Sequence, residues 1–369
     1  MIQQAARDFA QTELKPGVIE RDEHQKFPTE QVKKLGELGF LGMMVPEKYN
    51  GSGLDAVSYV LVMEELSKVD ASASVVVSVN NSLVCYGLES FGSEYQKEKY
   101  LKPLAAGQQI GAFCLSEPEA GSDATSQQTT AEDMGDYYLL NGTKNWITNG
   151  GTASTYLVIA QTNRALKHRG INAFIVEKGM EGFTIGPKEN KMGIRGSDTH
   201  SLMFNDVKVP KENRIGEDGF GFKFAMKTLE GGRIGIAAQA LGIAAGAYEL
   251  ALEYSKQRKS FGKAISDHQA IAFKLADMAT QIEAARMLVY KAAWLKDQGQ
   301  SYTLAGSMAK LYASKVAMDV TIEAVQIHGG YGFVKEYHVE RMMRDAKITQ
   351  IYEGTSEIQS LVISREILR

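Results

Sequence analysis

The chain has 369 residues, 44% hydrophobic and 23% charged, with a formal net charge of -3. That length exceeds one ordinary core and implies two or three domains of a soluble globular protein. A pI near 6.1 leaves no electrostatic footprint for a nucleic-acid partner, and Cys85 and Cys114 show neither zinc-ligand nor disulfide-framework spacing.

From residue 1 to about 110 the pattern is helical, with Gly and Pro as punctuation. The chain starts inside a helical pattern, so a few preceding residues are expected. Residues 1–8 carry no basic segment leading into an apolar core, the mark of a signal or transit peptide. Thr29 with Val32, Leu35 and Leu38 reads as a helix start. Asp55 reads as the N-cap of a helix over 56–69, where Tyr59, Met63 and Leu66 recur at helical spacing. Val75-Val76-Val77 is β-branched, yet it follows Asp70-Ala71-Ser72 without a turn signal and leads into the periodic stretch 83–91. It is therefore assigned to a buried helix. Gly51-Ser52-Gly53-Leu54-Asp55-Ala56 fits the dinucleotide pattern G-x-G-x-x-A, but that fingerprint needs a strand directly before it, and 45–50 is not one. A glycine loop ahead of a helix is the better reading.

Between about 111 and 215 the composition changes to short β-rich runs separated by turn residues. Stretches 137–140, 156–160, 173–176 and 201–204 have strand length and strand-type residues, and Asn141-Gly142 is a hairpin signal. Short strands with no long helix between them imply an antiparallel barrel or sandwich domain.

From about 216 onward the chain is helical and Ala-rich. Ile234, Ala238, Leu241, Ala245, Tyr248 and Leu252 are spaced 4, 3, 4, 3, 4, and so are Ile271, Leu275, Met278, Ile282, Ala285 and Val289. Met308, Leu311, Val316, Val320 and Val325 supply a third helix and 358–368 a fourth, so a four-helix bundle is expected. The longest charge-free run in this half, 234–248, is shorter than the ~20 residues of a membrane span and reads as a buried helix. Gly235, Gly242 and Gly246 would each weaken an isolated helix by about 1 kcal/mol relative to Ala, which implies close backbone approach to a neighbour, another subunit being one candidate. The expectation is an α+β multidomain protein: an N-terminal helical domain over 1–110, a central β domain over 111–215, and a C-terminal four-helix bundle over 216–369.

Near the C-terminus, Gln350-Ile351-Tyr352-Glu353-Gly354-Thr355-Ser356-Glu357-Ile358-Gln359 places a carboxylate where a loop turns into a helix. Ser356 and Gln359 fit the S-x-x-Q capping box. Glu353 is then either a solvated acid near the positive helix end or an acid directed into a pocket floored by that end. Position alone favours the first, because acids are enriched near helix starts.

These residues resemble the catalytic segment of the acyl-CoA dehydrogenases, where IYEGTS carries the base. Phe113-Cys114-Leu115-Ser116-Glu117-Pro118-Glu119-Ala120-Gly121-Ser122-Asp123, Trp146-Ile147-Thr148-Asn149-Gly150, Arg258-Lys259-Ser260-Phe261-Gly262 and Gln326-Ile327-His328-Gly329-Gly330 match further family segments in the family's order. The resemblance runs from about residue 1 to the end. It implies a helical, β, helical domain order, FAD as cofactor, and Glu353 as the catalytic base, whose backbone N–H also contacts the thioester carbonyl. It further implies flavin contacts from Phe113, Leu115, Ser116, Ser122, Trp146 and Thr148, with Thr355 and Glu357 also on the cofactor. Arg258, Ser260, Phe261, His268, Gln269, Gln326, Gly329 and Gly330 match segments that contact FAD bound mainly by a neighbouring subunit. Ser122, Glu230, Arg233, Tyr352 and Gly354 are implied substrate contacts. A homotetramer built as a dimer of dimers and an electron-transfer flavoprotein as electron acceptor follow from the same resemblance, while the cytoplasmic location is the expectation from Cys85 and Cys114 read as reduced, buried thiols. Stretches 227–239 and 344–349 look most like the short-chain, butyryl-CoA type. Some family members place the base just before the arginine of a sequence like Gly231-Gly232-Arg233. Gly232 has no carboxylate, which disfavours that subfamily and leaves Glu230 as the second candidate.

Removing hydrogens from the α and β carbons of a saturated acyl thioester needs a base in a dry pocket and donors for the enolate-like charge. It also needs a hydride acceptor, which no side chain provides. Desolvation by substrate and flavin would raise the pKa of Glu353. Plainer readings stand beside these roles: a strand and Pro/Gly turn for 113–122, a core residue for Trp146, a solvated helix end for Arg258, and a helix C-cap for Gly329-Gly330. Arg164, Lys167, His168 and Arg169 read as a solvated loop ahead of a CoA-phosphate contact. The six histidines show no H-x-x-x-H or H-E-x-x-H spacing, so no metal is expected. Two competing functions are an acyl-CoA oxidase that uses oxygen, and a non-catalytic nucleic-acid-binding or scaffolding relative. The acidic pI and the retained Glu353 argue against the last.

Overall fold

Two capped helices organise the N-terminal third. In the computed structural model, which describes residues 1–369, α1 spans Ala56–Ser67 and α2 spans Ala71–Phe91. Asp55 caps α1 by accepting the Ser58 N–H at 2.7 Å, and Asp70 caps α2 through the N–H groups of Ser72 and Ala73. Each satisfies donors that a helix start otherwise leaves unpaired. Val75, Val76 and Val77 lie buried inside α2, which widens to π geometry over Val79–Cys85. The glycines at 51–53 follow a 3-10 turn, Glu47–Tyr49, rather than a strand.

The central third is an eight-stranded sheet of β1 (Gly111–Cys114), β2 (Thr130–Asp133), β3 (Tyr137–Thr148), β4 (Thr155–Gln161), β5 (Ile171–Glu177), β6 (Phe183–Lys188), β7 (Thr199–Pro210) and β8 (Arg214–Ile215). The strand order is β6-β7-β3-β2-β4-β5-β8, and β1 pairs with β4. Most ladders are antiparallel as expected, but β1 and β2 both run parallel to β4, so the sheet is mixed. Asn141-Gly142 is not a hairpin turn. β3 passes through it with a bulge between Leu140 and Gly142, where Gly142 has φ 143° and an added Cβ would lie 2.6 Å from Thr129 Oγ1. The turn-type residues serve a bulge and a close strand approach instead.

The last third is helical: α3 (Gly221–Gln257), α4 (Gln269–Asp297), α5 (Thr303–His328), α6 (His338–Ile348) and α7 (Ser356–Ile367). The heptad residues Ile234, Ala238, Leu241 and Ala245 of α3, and Leu275, Met278, Ile282, Ala285 and Val289 of α4, are buried. On α5 the buried stripe runs through Ala309, Ala313, Val316, Val320 and Ala324, leaving Met308, Leu311 and Val325 half-buried. α6 was not among the four expected helices. Its apolar buried face is only Val339, Met342 and Ala346, and the charged Arg341 and Asp345 beside them mask the periodicity.

The glycines of α3 do mark a close neighbour, and it is the chain's own α1 rather than another subunit. An added Cβ on Gly242 would lie 2.4 Å from Glu64 O, and one on Gly246 would lie 2.3 Å from Lys68 O. Asp297 at the end of α4 accepts the N–H groups of Ala56 and Val57, and Arg286 pairs with the buried Glu64 at 2.8 Å. Two helices, Ala71–Phe91 and Gly221–Gln257, are long and apolar enough to cross a membrane, and 94% and 83% of their apolar windows are buried inside the fold. Gly242→Ala should destabilise the protein by about 1–3 kcal/mol, despite Ala's better helix propensity, because overpacking outweighs it. Urea unfolding checks this; a variant as stable as the parent would show that α1 and α3 are not in backbone contact.

Candidate active site

The loop between α6 and α7 is held by polar side chains from three helices. Lys310 of α5 donates to the Gly354 carbonyl, and Gln359 Nε2 donates to the carbonyls of Gly354 at 2.9 Å and Glu353 at 3.4 Å. The Tyr352 hydroxyl donates to Gln239 Oε1, and Gln239 Nε2 donates to Ala71 O at 2.9 Å and Ser74 Oγ at 3.2 Å. The cap of α7 is Thr355, one residue earlier than expected: its hydroxyl accepts the Ile358 N–H, while Ser356 is already helical. Gln359 does not complete a capping box but ties down the carbonyls ahead of the helix. Within this frame Glu353 has φ 53° and Gly354 φ 93°. A left-handed glutamate costs on the order of 1–3 kcal/mol and persists where surroundings over-determine it.

That backbone aims the carboxylate at α3. An added Cβ on Gly232 would lie 2.1 Å from Glu353 Oε2 and 2.8 Å from Leu83 Cδ2. Glu353 as a whole is half-buried, yet its Oε2 is sealed from solvent and has no hydrogen-bond partner. Burial pushes the carboxyl up to about 7, against the opposing pull of Lys310 and then Arg233. Burial likewise drives Lys310 down to about 8, with the Glu353 charge opposing. Arg233 is buried, lowered by that burial, and its Nε is unpartnered. Glu230, the second candidate base, is engaged elsewhere, accepting from Thr303 and Lys227 at 3.2 Å. A buried, unpaired carboxyl shifted toward neutrality is costly to keep and suited to taking a proton from carbon.

Three family models cover nearly the whole chain: Acyl-CoA dehydrogenase, N-terminal domain, over 1–108; middle domain, over 112–207; and C-terminal domain, over 219–368. The chain belongs to the acyl-CoA dehydrogenase family. It is 54% identical over 369 residues to the short-chain specific acyl-CoA dehydrogenase of Clostridium acetobutylicum, covering 100% of this chain and 97% of that one. The solved butyryl-CoA dehydrogenase of Megasphaera elsdenii superposes with a TM-score of 0.98 at 54% identity, covering 100% and 98%. A chain solved in work on the electron transferring flavoprotein of Acidaminococcus fermentans superposes with a TM-score of 0.99 at 54% identity, covering 100% and 97%.

Apart from Thr355 and Glu357, the residues that resemble the family's cofactor contacts fall into two clusters. In the first, the Asn145 N–H donates to Ser116 O at 2.9 Å, which lays the 115–116 segment beside β3. Trp146 sits in a second bulge of β3 with φ 61° and is 63% exposed, so it is not a core residue. Thr148 is half-buried on the same strand; Phe113 packs on Phe224 with ring centroids 6.3 Å apart; and Ser122 is exposed in a turn. Beneath the segment, the buried Lys144 donates to Leu115 O at 3.0 Å and to Glu117 at 2.7 Å. The second cluster lies past the far end of α3. There Arg258, Gly329 and Gly330 line a cavity of about 540 Å³ with Tyr254, Ile327 and His328. Ser260 and His268 are hydrogen-bonded at 3.2 Å, Phe261 is 97% exposed, and Gln269 and Gln326 are exposed. Roughly 38 Å of helix separates Gly232 from Arg258. Thr355 caps α7, and Glu357 is exposed on its first turn, held below the usual carboxylate range by its own backbone N–H and Thr355. Arg164, Lys167, His168 and Arg169 are all exposed.

Sequence reasoning missed Lys310, Gln359 and Gln239 as positioning residues. A signal existed for two of them: Lys310 interrupts an alanine-rich stripe, and Gln239 is the one amide in the apolar run 234–248.

Because the folded protein holds the Glu353 proton more tightly than the unfolded chain, the stability this group contributes is present below about 4.5 and is lost as pH rises through about 7. Glu353→Gln should therefore be more stable than the parent by about 3 kcal/mol at pH 8, with the gap closing toward pH 4.5. Urea unfolding of both holoproteins across that range is the check; parallel curves would mean a solvated carboxyl.

Proposed function

We propose that this protein removes a proton from the α carbon and a hydride from the β carbon of a short-chain acyl-CoA. The product is trans-2-enoyl-CoA, and the electrons pass to an electron-transfer flavoprotein. The observation that carries this reading is Glu353: a buried, unpartnered carboxyl oxygen held over a glycine by strained backbone, in a chain whose relatives are short-chain acyl-CoA dehydrogenases.

The residues present fit FAD. Trp146 offers an exposed aromatic face beside the main chain of Leu115 and Ser116, with Thr148 as a hydroxyl donor. Arg258 would offer a fork of donors to a pyrophosphate, and an added Cβ on Gly329 or Gly330 meets nothing within 4 Å, which leaves the backbone open to close approach. Bound FAD supplies the hydride acceptor that no side chain can provide. The chain's own groups do the rest. Ionised Glu353 takes the α proton, and the ~7 region is where a carboxylate is both ionised and basic enough to act. The Glu353 N–H makes no hydrogen bond within the chain and is free to donate to the thioester carbonyl as charge develops there. Lys310 and Gln359 keep that N–H and the carboxylate in register by holding the Gly354 carbonyl. Arg233, Glu230, Tyr352, Gly354 and Ser122 are assigned to the CoA thioester.

The first cluster meets α3 near its start, where Phe113 packs on Phe224. The second lies past its end at Arg258, about 50 Å of helix away and more than one dinucleotide spans. A flavin that touches both must lie between chains, and this supports a homotetramer arranged as a dimer of dimers. Phe273 and Trp294 on α4 and Ile322 on α5 are exposed apolar side chains of the kind such packing covers. Cys85 and Cys114 are buried and unpaired, in keeping with the cytoplasm.

Anaerobic titration of the flavin absorbance with acyl-CoAs of graded length tests the reaction: bleaching should be fastest with butyryl-CoA and should accelerate as pH rises through about 7. Glu353→Gln should keep flavin and substrate but lose roughly 1,000-fold in reduction rate. Near-normal bleaching in that variant would assign the base to Glu230, and fast reoxidation by air with peroxide release would make the protein an oxidase.

A further inference from the structure

Gly232 and Gly235 share one face of α3, about 4.5 Å apart along the axis. Over Gly232 lies the Glu353 carboxylate. Over Gly235, an added Cβ would lie 2.4 Å from the Tyr59 hydroxyl oxygen and 2.6 Å from Ser78 Oγ. At both of these positions α3 carries no side chain. Tyr59 reaches this position from α1, is 1% exposed, and hydrogen-bonds Ser78 of α2 at 3.1 Å. One turn further along the same face, Gln239 is already occupied by Tyr352, Ala71 O and Ser74. Leu83 of α2 forms the wall beside Gly232.

Resting on the dehydrogenase reading, an acyl chain with its α carbon at Glu353 that runs along the glycine face of α3 meets Tyr59 at Gly235, within one turn. We infer that Tyr59, hydrogen-bonded to Ser78 over Gly235, sets the depth of the acyl site and thereby restricts the enzyme to short acyl chains. A longer chain has to displace a fully buried ring whose hydroxyl would lose its partner, so the barrier is both steric and polar. The glycine at 235 is part of the same device: it admits the Tyr59 hydroxyl into van der Waals contact with the helix backbone. Helix α1, which enters through the close α1–α3 approach, thus contributes a residue to substrate selection as well as to packing.

The test compares Tyr59→Ala, as flavin-loaded protein, with the parent on butyryl-, hexanoyl- and octanoyl-CoA. The ratio of kcat/KM for hexanoyl-CoA to that for butyryl-CoA should rise roughly tenfold or more, the scale on which pockets discriminate a methylene. The dissociation constant of hex-2-enoyl-CoA, read from the perturbed flavin spectrum, should fall by a similar factor. If Tyr59→Ala does not retain flavin, Tyr59→Leu reads the same two ratios with more of the α1 face filled. A uniform loss on all chain lengths, with both ratios unchanged, overturns the inference and leaves Tyr59 a structural residue. A parent protein that butyryl-CoA reduces while the ratios stay fixed refutes only the role of Tyr59; a parent that no acyl-CoA reduces refutes the dehydrogenase reading as well.

Discussion

The contact between the Glu353 carboxylate and the bare backbone of α3 at Gly232 is the constraint on which the site depends. It needs a helix with no side chain at one position and a glutamate in left-handed conformation at another, and neither is cheap in isolation. The cost is offset by bonds that do not involve the carboxylate at all. Lys310 and Gln359 both take the Gly354 carbonyl, Tyr352 is anchored on Gln239, and Thr355 starts α7 immediately afterwards. The bonds that hold the loop fall on backbone carbonyls and on Tyr352, and the Glu353 Oε2 is left without a partner.

Charge balance around this carboxyl is equally restrained. Lys310 and Arg233 are the cations that act on Glu353, and neither forms a salt bridge with it. Their field moderates the effect of burial without cancelling it, so the carboxyl stays near neutrality instead of falling to the ordinary carboxylate range. A direct ion pair would have stabilised the charged form and removed the basicity that proton abstraction requires.

The same helix ties the domains together. Gly242 and Gly246 admit α1 against α3, Glu64 and Arg286 form a mostly buried pair across α1 and α4, and Asp297 caps α1 from the end of α4. Side chains of α1, α2 and α3 therefore meet at one place with fixed geometry, a requirement for any site that must hold reacting atoms to within fractions of an ångström.

Much of the architecture was legible in the chain. Heptad spacing in α3 and α4, the Asp55 cap and the buried valines of α2 are local patterns, and local patterns survive folding because they express backbone and burial preferences of neighbouring residues. The sequence by itself also determined the family, through motifs whose order carries the resemblance, and through that resemblance it pointed to Glu353 as the candidate base. What it could not determine is which groups meet across the fold. Asn141-Gly142 looked like a turn and is a bulge, because the adjacent Thr129 decides how close the strands lie. α6 was hidden because Arg341 and Asp345 are buried as an ion pair, which hydrophobic periodicity does not register. Position alone favoured a solvated Glu353, and only the tertiary structure sealed it, since desolvation depends on α3 and α2 residues far away in the chain. Tyr59 reads as an ordinary core residue in sequence; its hydroxyl gains significance only where Gly235, 176 positions later, leaves room for it.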